Sequence, residues 1–220
     1  MRRTAHEVVR RHFHPTEEMS LLAHKAKPVV ASEDACLALH IRHSDKADRR
    51  ERISLDEFRP YVEAYQQAAI WVGTTVVIYV ATDSNQVLQQ LQAEWPKTLT
   101  SYMRWQTSIT RSNNATPVFS MTQSHHKTNT EVMTDILAMA ECEFMVHGMS
   151  AVTEAVHYLN LRLHNQSVNL EEEEMKTSSS YVHKRKATLK PEEFGRLVRN
   201  RLNDKRRKYE SLKEKMDHSP

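Results

Sequence analysis

Short apolar runs alternate with amphipathic stretches along this chain. Ala35 to Ile41 is apolar and too short for a buried helix, which predicts a strand. Ser54-Leu55-Asp56-Glu57 has the spacing of a capping box. It opens a helix with Leu55, Phe58, Val62, Tyr65 and Ala69 on one face, closed by Gly73. Thr75 to Ala81, TVVIYVA, concentrates β-branched residues and an aromatic, and predicts a second strand. Thr82-Asp83-Ser84 caps a helix over 85–94 that ends at Trp95-Pro96, and Tyr102 to Gln106 reads as a third strand. Residues 107–128 are polar and irregular. Thr128-Asn129-Thr130-Glu131 repeats the capping-box spacing ahead of Val132, Ile136, Leu137 and Met139, which suit one helix face. Glu143 to Val146 reads as a strand, and Gly148-Met149-Ser150 as the turn into a helix over 151–162. This alternation predicts an α/β fold: a Rossmann-like, doubly wound parallel sheet with right-handed crossovers.

Both ends differ from this core. Residues 4–13 suggest a short helix stopped by Pro15, followed by a polar stretch to Pro28. From Glu171 the sequence turns to EEEEMKTSSS and then to a basic helical stretch between Glu192 and Lys215, the pattern of a linker followed by a solvated helix. The expected division is an N-terminal helix and connection over 1–34, a ligand-binding domain over 35–170, an acidic and polar linker over 171–190, and a basic helical tail over 191–220. At 220 residues the chain suits one core plus an appendage. Of 31 Lys/Arg and 28 Asp/Glu, 14 and 10 fall in 171–220, leaving 17 against 18 in the body, so the net charge of +3 belongs to the tail. Cys36 and Cys142 each sit in an apolar, strand-like run and read as buried residues, not a disulfide scaffold. No apolar stretch approaches the roughly 20 residues that span a bilayer, and MRRTAHEVVRR leads into no signal-like segment, so the chain reads as soluble. Asn114-Ala115-Thr116 and Asn165-Gln166-Ser167 are glycosylation triplets, a pattern that also arises by chance.

Candidate chemistry gathers where the first apolar run stops, in LALHIRHSDK (37–46). His40 and Arg42 lie two apart at a strand end and so project to the same side. A guanidinium offers a planar fork to phosphate oxygens, while Asp45 and Lys46 can orient it or its loop. A surface cluster of mutually satisfied charges is the alternative. In an open α/β sheet this edge is where ligands bind. Ser150 follows a strand and Gly148 and heads a helix whose free N–H groups attract anions; it also reads as an ordinary N-cap. Asp135 interrupts an apolar helix pattern, where it needs a partner if buried or lies exposed on the helix edge.

Four stretches together resemble the GDP-fucose-dependent fucosyltransferases, in particular the α-1,6 group that includes the N-glycan core and rhizobial chitin-oligosaccharide enzymes. They are HIRHSDK (40–46), SLDEFRPYVEAY (54–65), VIYVATDSNQVLQQLQAEWP (77–96) and EVMTDILAMAECEFMVHGMSAVTEAVHYL (131–159). The resemblance covers about 35–168, and H-x-R-x-x-D-K followed by Y-x-A-T-D is its most specific part. It implies the C-terminal donor-binding domain of a GT-B glycosyltransferase, which transfers fucose from GDP-fucose to a glycan hydroxyl with inversion and without a metal. The absence of D-x-D agrees with that chemistry. By this resemblance His40 and Asp135 contact guanine and Arg42 and Ser150 hold the diphosphate, with Asp45 and Asp83 completing the donor-binding set. Arg42 also stabilises the departing charge, and Glu51 or Asp48 is the base for the acceptor hydroxyl. These two carboxylates also read as loop partners of Arg49, Arg50 and Arg52. His43 stands where the core enzyme has a second arginine, and Ser150-Ala151 where it has paired serines. The family's N-terminal acceptor domain has no counterpart in these residues, so the chain alone is expected to be incomplete as an enzyme. A longer precursor would place it in the Golgi or secretory lumen.

A different reading is a non-catalytic nucleotide-binding or protein-interaction module on a degenerate fucosyltransferase-like scaffold, with KRRKYESLKEK meeting an acidic partner. Nucleic acid is a weaker fit, since a mixed-charge helix is first a solvated face. A metal hydrolase built on His125-His126 lacks any H-E-x-x-H or C-x-x-C pattern.

Overall fold

A computed structural model describes residues 2–26, 35–43, 52–107, 109–113, 118, 124–173 and 185–217. Five strands form one sheet: β1 (Ala35–Ile41), β2 (Val76–Thr82), β3 (Met103–Arg104), β4 (Phe144–His147) and β5 (Ser167–Asn169), in the order β3-β2-β1-β4-β5. Every neighbouring pair is parallel. The expected doubly wound sheet is therefore present. The chain winds outward from β1 through β2 to β3 and then crosses to the far side of β1, which puts the topological switch point between β1 and β4.

β1 and β2 are buried along their whole length, the reason both read as nearly continuous apolar runs. Leu37, Leu39 and Ile41 face one layer, made by α3 (Leu55–Val72), α4 (Asn85–Glu94), the short α5 (Lys97–Thr100) and α8 (Pro191–Asp217). Cys36 and Ala38 face the other, made by α6 (His125–Ala140) and α7 (Ala151–Leu159). α1 (Arg2–His12) packs on α7 and α2 (Glu17–Ala26) on α6. The capping box of α3 forms as expected: the Ser54 N–H donates to Glu57 Oε2 at 2.8 Å. Gly73, at φ 78°, ends that helix in the left-handed conformation that favours glycine.

The structure departs from the sequence reading in several places. The polar stretch before Pro28 contains α2. α6 begins a turn earlier than expected, after Ser124, so Thr128 lies inside the helix and is buried. The Thr130 and Thr134 hydroxyls donate to His126 O and Thr130 O, at 2.9 and 2.8 Å, which satisfies them without ending the helix. α7 stops at Leu159 because Asn160 turns extended and its side chain accepts from the Arg162 N–H. A 3-10 helix (Leu161–Asn165) then leads into β5, a strand absent from the sequence reading.

The C-terminal helix is no simple solvated tail. Phe194, Val198 and Leu202 are spaced i, i+4, i+8 and fully buried against α3. Phe194 meets Tyr61 and Phe144 edge-on, with ring centroids 6.1 and 6.2 Å apart. The segment read as a linker forms a small antiparallel pair, β6 (Glu172–Glu173) with β7 (Arg185–Lys186). The two cysteines are buried, as expected, and joined in a disulfide with a Cα separation of 4.8 Å. The Glu143 N–H donates to Cys36 O at 3.1 Å, which brings the turn before β4 beside the start of β1.

Candidate active site at the switch point

β1 and β4 end side by side. His40 is in register with Ala81 on one side and His147 on the other, so both imidazoles lie on the sheet face covered by α6 and α7. His147 meets His157 edge-on at 5.4 Å, and His157 meets His164 at 6.0 Å, extending the row of rings outward. Beyond the strand end, half-buried Arg42 lines one small cavity with His40, His43, Ile53, Gly148 and Met149. Residues more than 100 positions apart thus meet at the switch point. Ser150 caps α7, its side chain accepting from the Val152 N–H at 3.2 Å, and it opens onto the adjoining cleft of about 590 Å³. His147, His157, His164 and Asn169 also line that cleft.

The loop leaving β1 is held from β2. The His43 N–H donates to Asp83 Oδ1 at 2.9 Å, and the His43 ring nitrogen Nε2 lies 3.0 Å from Ile53 O. Asp83 therefore holds the backbone directly after Arg42. His43, where the resembling family has an arginine, is turned toward a carbonyl.

Asp135 belongs to a polar cluster beneath β2. The Tyr79 hydroxyl and Gln106 Nε2 both donate to Asp135 Oδ1 at 2.5 Å. Tyr79 is in register with Ala38, which places this cluster one strand over and two residues back from His40 on the same face. Burial pushes the Asp135 carboxyl up to about 6, against the opposing pull of those two hydrogen bonds and of Arg111. Arg111 is itself buried. It donates from Nε to Thr82 O at 3.2 Å and from a terminal nitrogen to Gln106 O at 2.6 Å, while burial lowers its guanidinium pKa. The Tyr79 hydroxyl is pushed up by burial and by the Asp135 charge. Glu131 Oε2 accepts from the Thr110 N–H at 3.1 Å, tying α6 to the same segment.

Asp45, Lys46, Asp48 and Glu51 lie outside the described residues. His125 and His126 are exposed in the first turn of α6, and among the described residues no three metal-ligating side chains gather. Sequence reasoning missed Arg111, Gln106 and Glu171. Arg111 and Gln106 sit in or beside a polar stretch with no periodicity, and Glu171 heads a run of four glutamates that reads as linker.

No family model matches the chain, and no curated protein matches it. Among solved structures it is similar to the crystal structure of the fucosyltransferase NodZ from Bradyrhizobium, at 13% identity and a TM-score of 0.39. That match covers 71% of this chain and 46% of the other, so the chain spans less than half of that protein. No helix among the described residues is long and apolar enough to cross a membrane.

Proposed function

We propose that this chain is the donor-binding half of a fucosyltransferase-like GT-B glycosyltransferase that binds GDP-fucose. The observation that carries the reading is that Arg42 lines a cavity with Gly148 and Met149 at the carboxyl edge of the sheet, next to the cleft onto which Ser150 opens. A guanidinium beside the turn into a helix at a switch point is a setting for a diphosphate. In the proposed reaction the acceptor hydroxyl loses its proton to Glu51 or Asp48 and its oxygen attacks the anomeric carbon. The bond from that carbon to GDP breaks with inversion. Arg42 and the first N–H groups of α7 meet the charge developing on GDP, the work a metal ion does in other transferases. His40 and Asp135 are assigned to guanine, and Asp45 and Asp83 to the loop that carries Arg42. The acceptor is a glycan, bound largely by a second domain. A Golgi or secretory location fits the disulfide, which persists in oxidising compartments.

Calorimetry of GDP against wild type and Arg42→Ala tests the site. Loss of one charge-assisted contact should cost about 1.5 to 3 kcal/mol, more than tenfold in affinity. Equal binding by the two proteins removes Arg42 from the site and the reading with it.

A further inference from the structure

Asn165-Gln166-Ser167 has the spacing of an N-glycan acceptor, and the fold presents it as one. Asn165 closes the 3-10 helix after α7 and is exposed, while Ser167 opens β5, an edge strand of the sheet. The residue between them anchors the triplet. Gln166 is buried; its N–H donates to Leu163 O at 3.0 Å, and its carbonyl accepts from the Met145 N–H at 3.2 Å. Asn165 stands at the wall of the cleft of about 590 Å³, beside His164, so an oligosaccharide leaving its side chain reaches solvent without displacing the core. A triplet alone decides nothing, since a chain from any compartment can contain one. The disulfide supplies a second observation. Cys36 and Cys142 are joined and buried, and such bonds persist in the oxidising compartments that secreted chains pass through, where N-glycans are attached. Asn114, the acceptor of the other triplet, lies outside the described residues.

We propose that the chain carries an N-linked glycan on Asn165. Asn165 Nδ2 bonds to the anomeric carbon of a lipid-linked oligosaccharide. The bond from that carbon to the lipid diphosphate breaks, the diphosphate leaves with the electron pair, and Nδ2 gives up one proton. Ser167 supplies the hydroxyl of the acceptor triplet. Because Ser167 is in register with Met145 inside the sheet, the transfer belongs to the chain before β5 docks. In the folded protein the first sugar stands at the rim of the cleft, not against packed residues. The inference shares the secretory placement of the proposed function and is independent of what the donor site binds.

The full chain, secreted from cultured eukaryotic cells behind a cleavable signal, tests it as wild type, Asn165→Gln, Ser167→Ala and Asn114→Gln. Peptide-N-glycosidase followed by peptide mass spectrometry reads which asparagine was modified, and non-reducing peptide mapping reports the Cys36–Cys142 disulfide as the sign of folding. Wild type and Asn114→Gln are expected to carry a glycan on Asn165, with complete loss from Asn165→Gln and Ser167→Ala. The serine variant keeps the asparagine, so loss there shows that the triplet itself is recognised. Disulfide-bonded wild type with Asn165 unmodified, or with sugar on Asn114 alone, overturns the proposal and leaves the GDP measurement standing. Wild type that reaches that lumen without forming the disulfide overturns it as well, by removing the second observation.

Discussion

Asp135→Asn separates the electrostatic cost of the cluster beneath β2 from its hydrogen bonding. Asparagine keeps an oxygen to accept from the Tyr79 hydroxyl and Gln106 Nε2, so the substitution chiefly removes the charge. In the folded protein burial lifts the carboxyl from 3.8 to about 6, which means the fold holds this proton more tightly than the unfolded chain does. The raised value makes the ionised carboxylate a burden. The penalty is fully present above about pH 6, shrinks as pH falls toward 4, and is absent below the unfolded value. A rise of that size corresponds to roughly 3 kcal/mol between the two ends of the window. Urea unfolding followed by circular dichroism at pH 4.5, 5.5 and 7.5 reads it directly. The stability difference between variant and wild type should move in favour of the variant by about 2 kcal/mol from pH 4.5 to 7.5, while the titrations of all other groups cancel. Parallel pH profiles would refute the reasoning, because they would mean that Asp135 titrates alike in the folded and unfolded chain.

Two further substitutions test packing. Gly148→Ala forces a methyl to within 2.6 Å of Glu171 Oε2 and Ile53 Cδ1, and should cost about 1 to 3 kcal/mol in urea unfolding; a neutral result would mean that the turn has room to spare. Phe194→Ala empties a fully buried aromatic position between Tyr61 and Phe144 and should cost about 3 to 5 kcal/mol within a single cooperative transition. A loss below about 1 kcal/mol would return α8 to the status of an appended tail.

What was legible in the sequence follows from where the physical signal is local. β1 and β2 announced themselves because strands buried on both faces must be apolar throughout, and α3 because its cap, its apolar face and its closing Gly73 lie within 20 residues of one another. Arg42 and the turn after β4 could be nominated through the fold rule, since strand ends flanking a switch point lie side by side however far apart they stand in the chain. α8 carried its signal openly, in Phe194, Val198 and Leu202, but the surrounding charge masked a narrow stripe that suffices to bury one helix on another. α6 shows the opposite error. A Thr-to-Glu spacing that mimics a cap sits inside the helix, since hydroxyls reaching back to carbonyls one turn earlier are equally well satisfied there.

The polar partnerships were not legible at all, because a hydrogen bond between distant residues leaves no trace in the spacing of either. Tyr79 reads as a strand aromatic, Gln106 as the end of a short strand, Arg111 as a loop residue, and Asp135 as a defect in an apolar helix. Only the sheet register brings them together. Glu171 is the strongest case. Within EEEE nothing in the sequence sets it apart, yet the path of β5 beside β4 delivers this one carboxylate to the Met149 N–H. Candidate side chains at a strand end can thus be nominated from sequence, whereas the groups that hold the turns beside them come from the adjacent strand and follow from topology. A reading of such sites from sequence should therefore continue to the first residues past the neighbouring strand's end, where a buried acid can hold the adjoining turn without belonging to any motif.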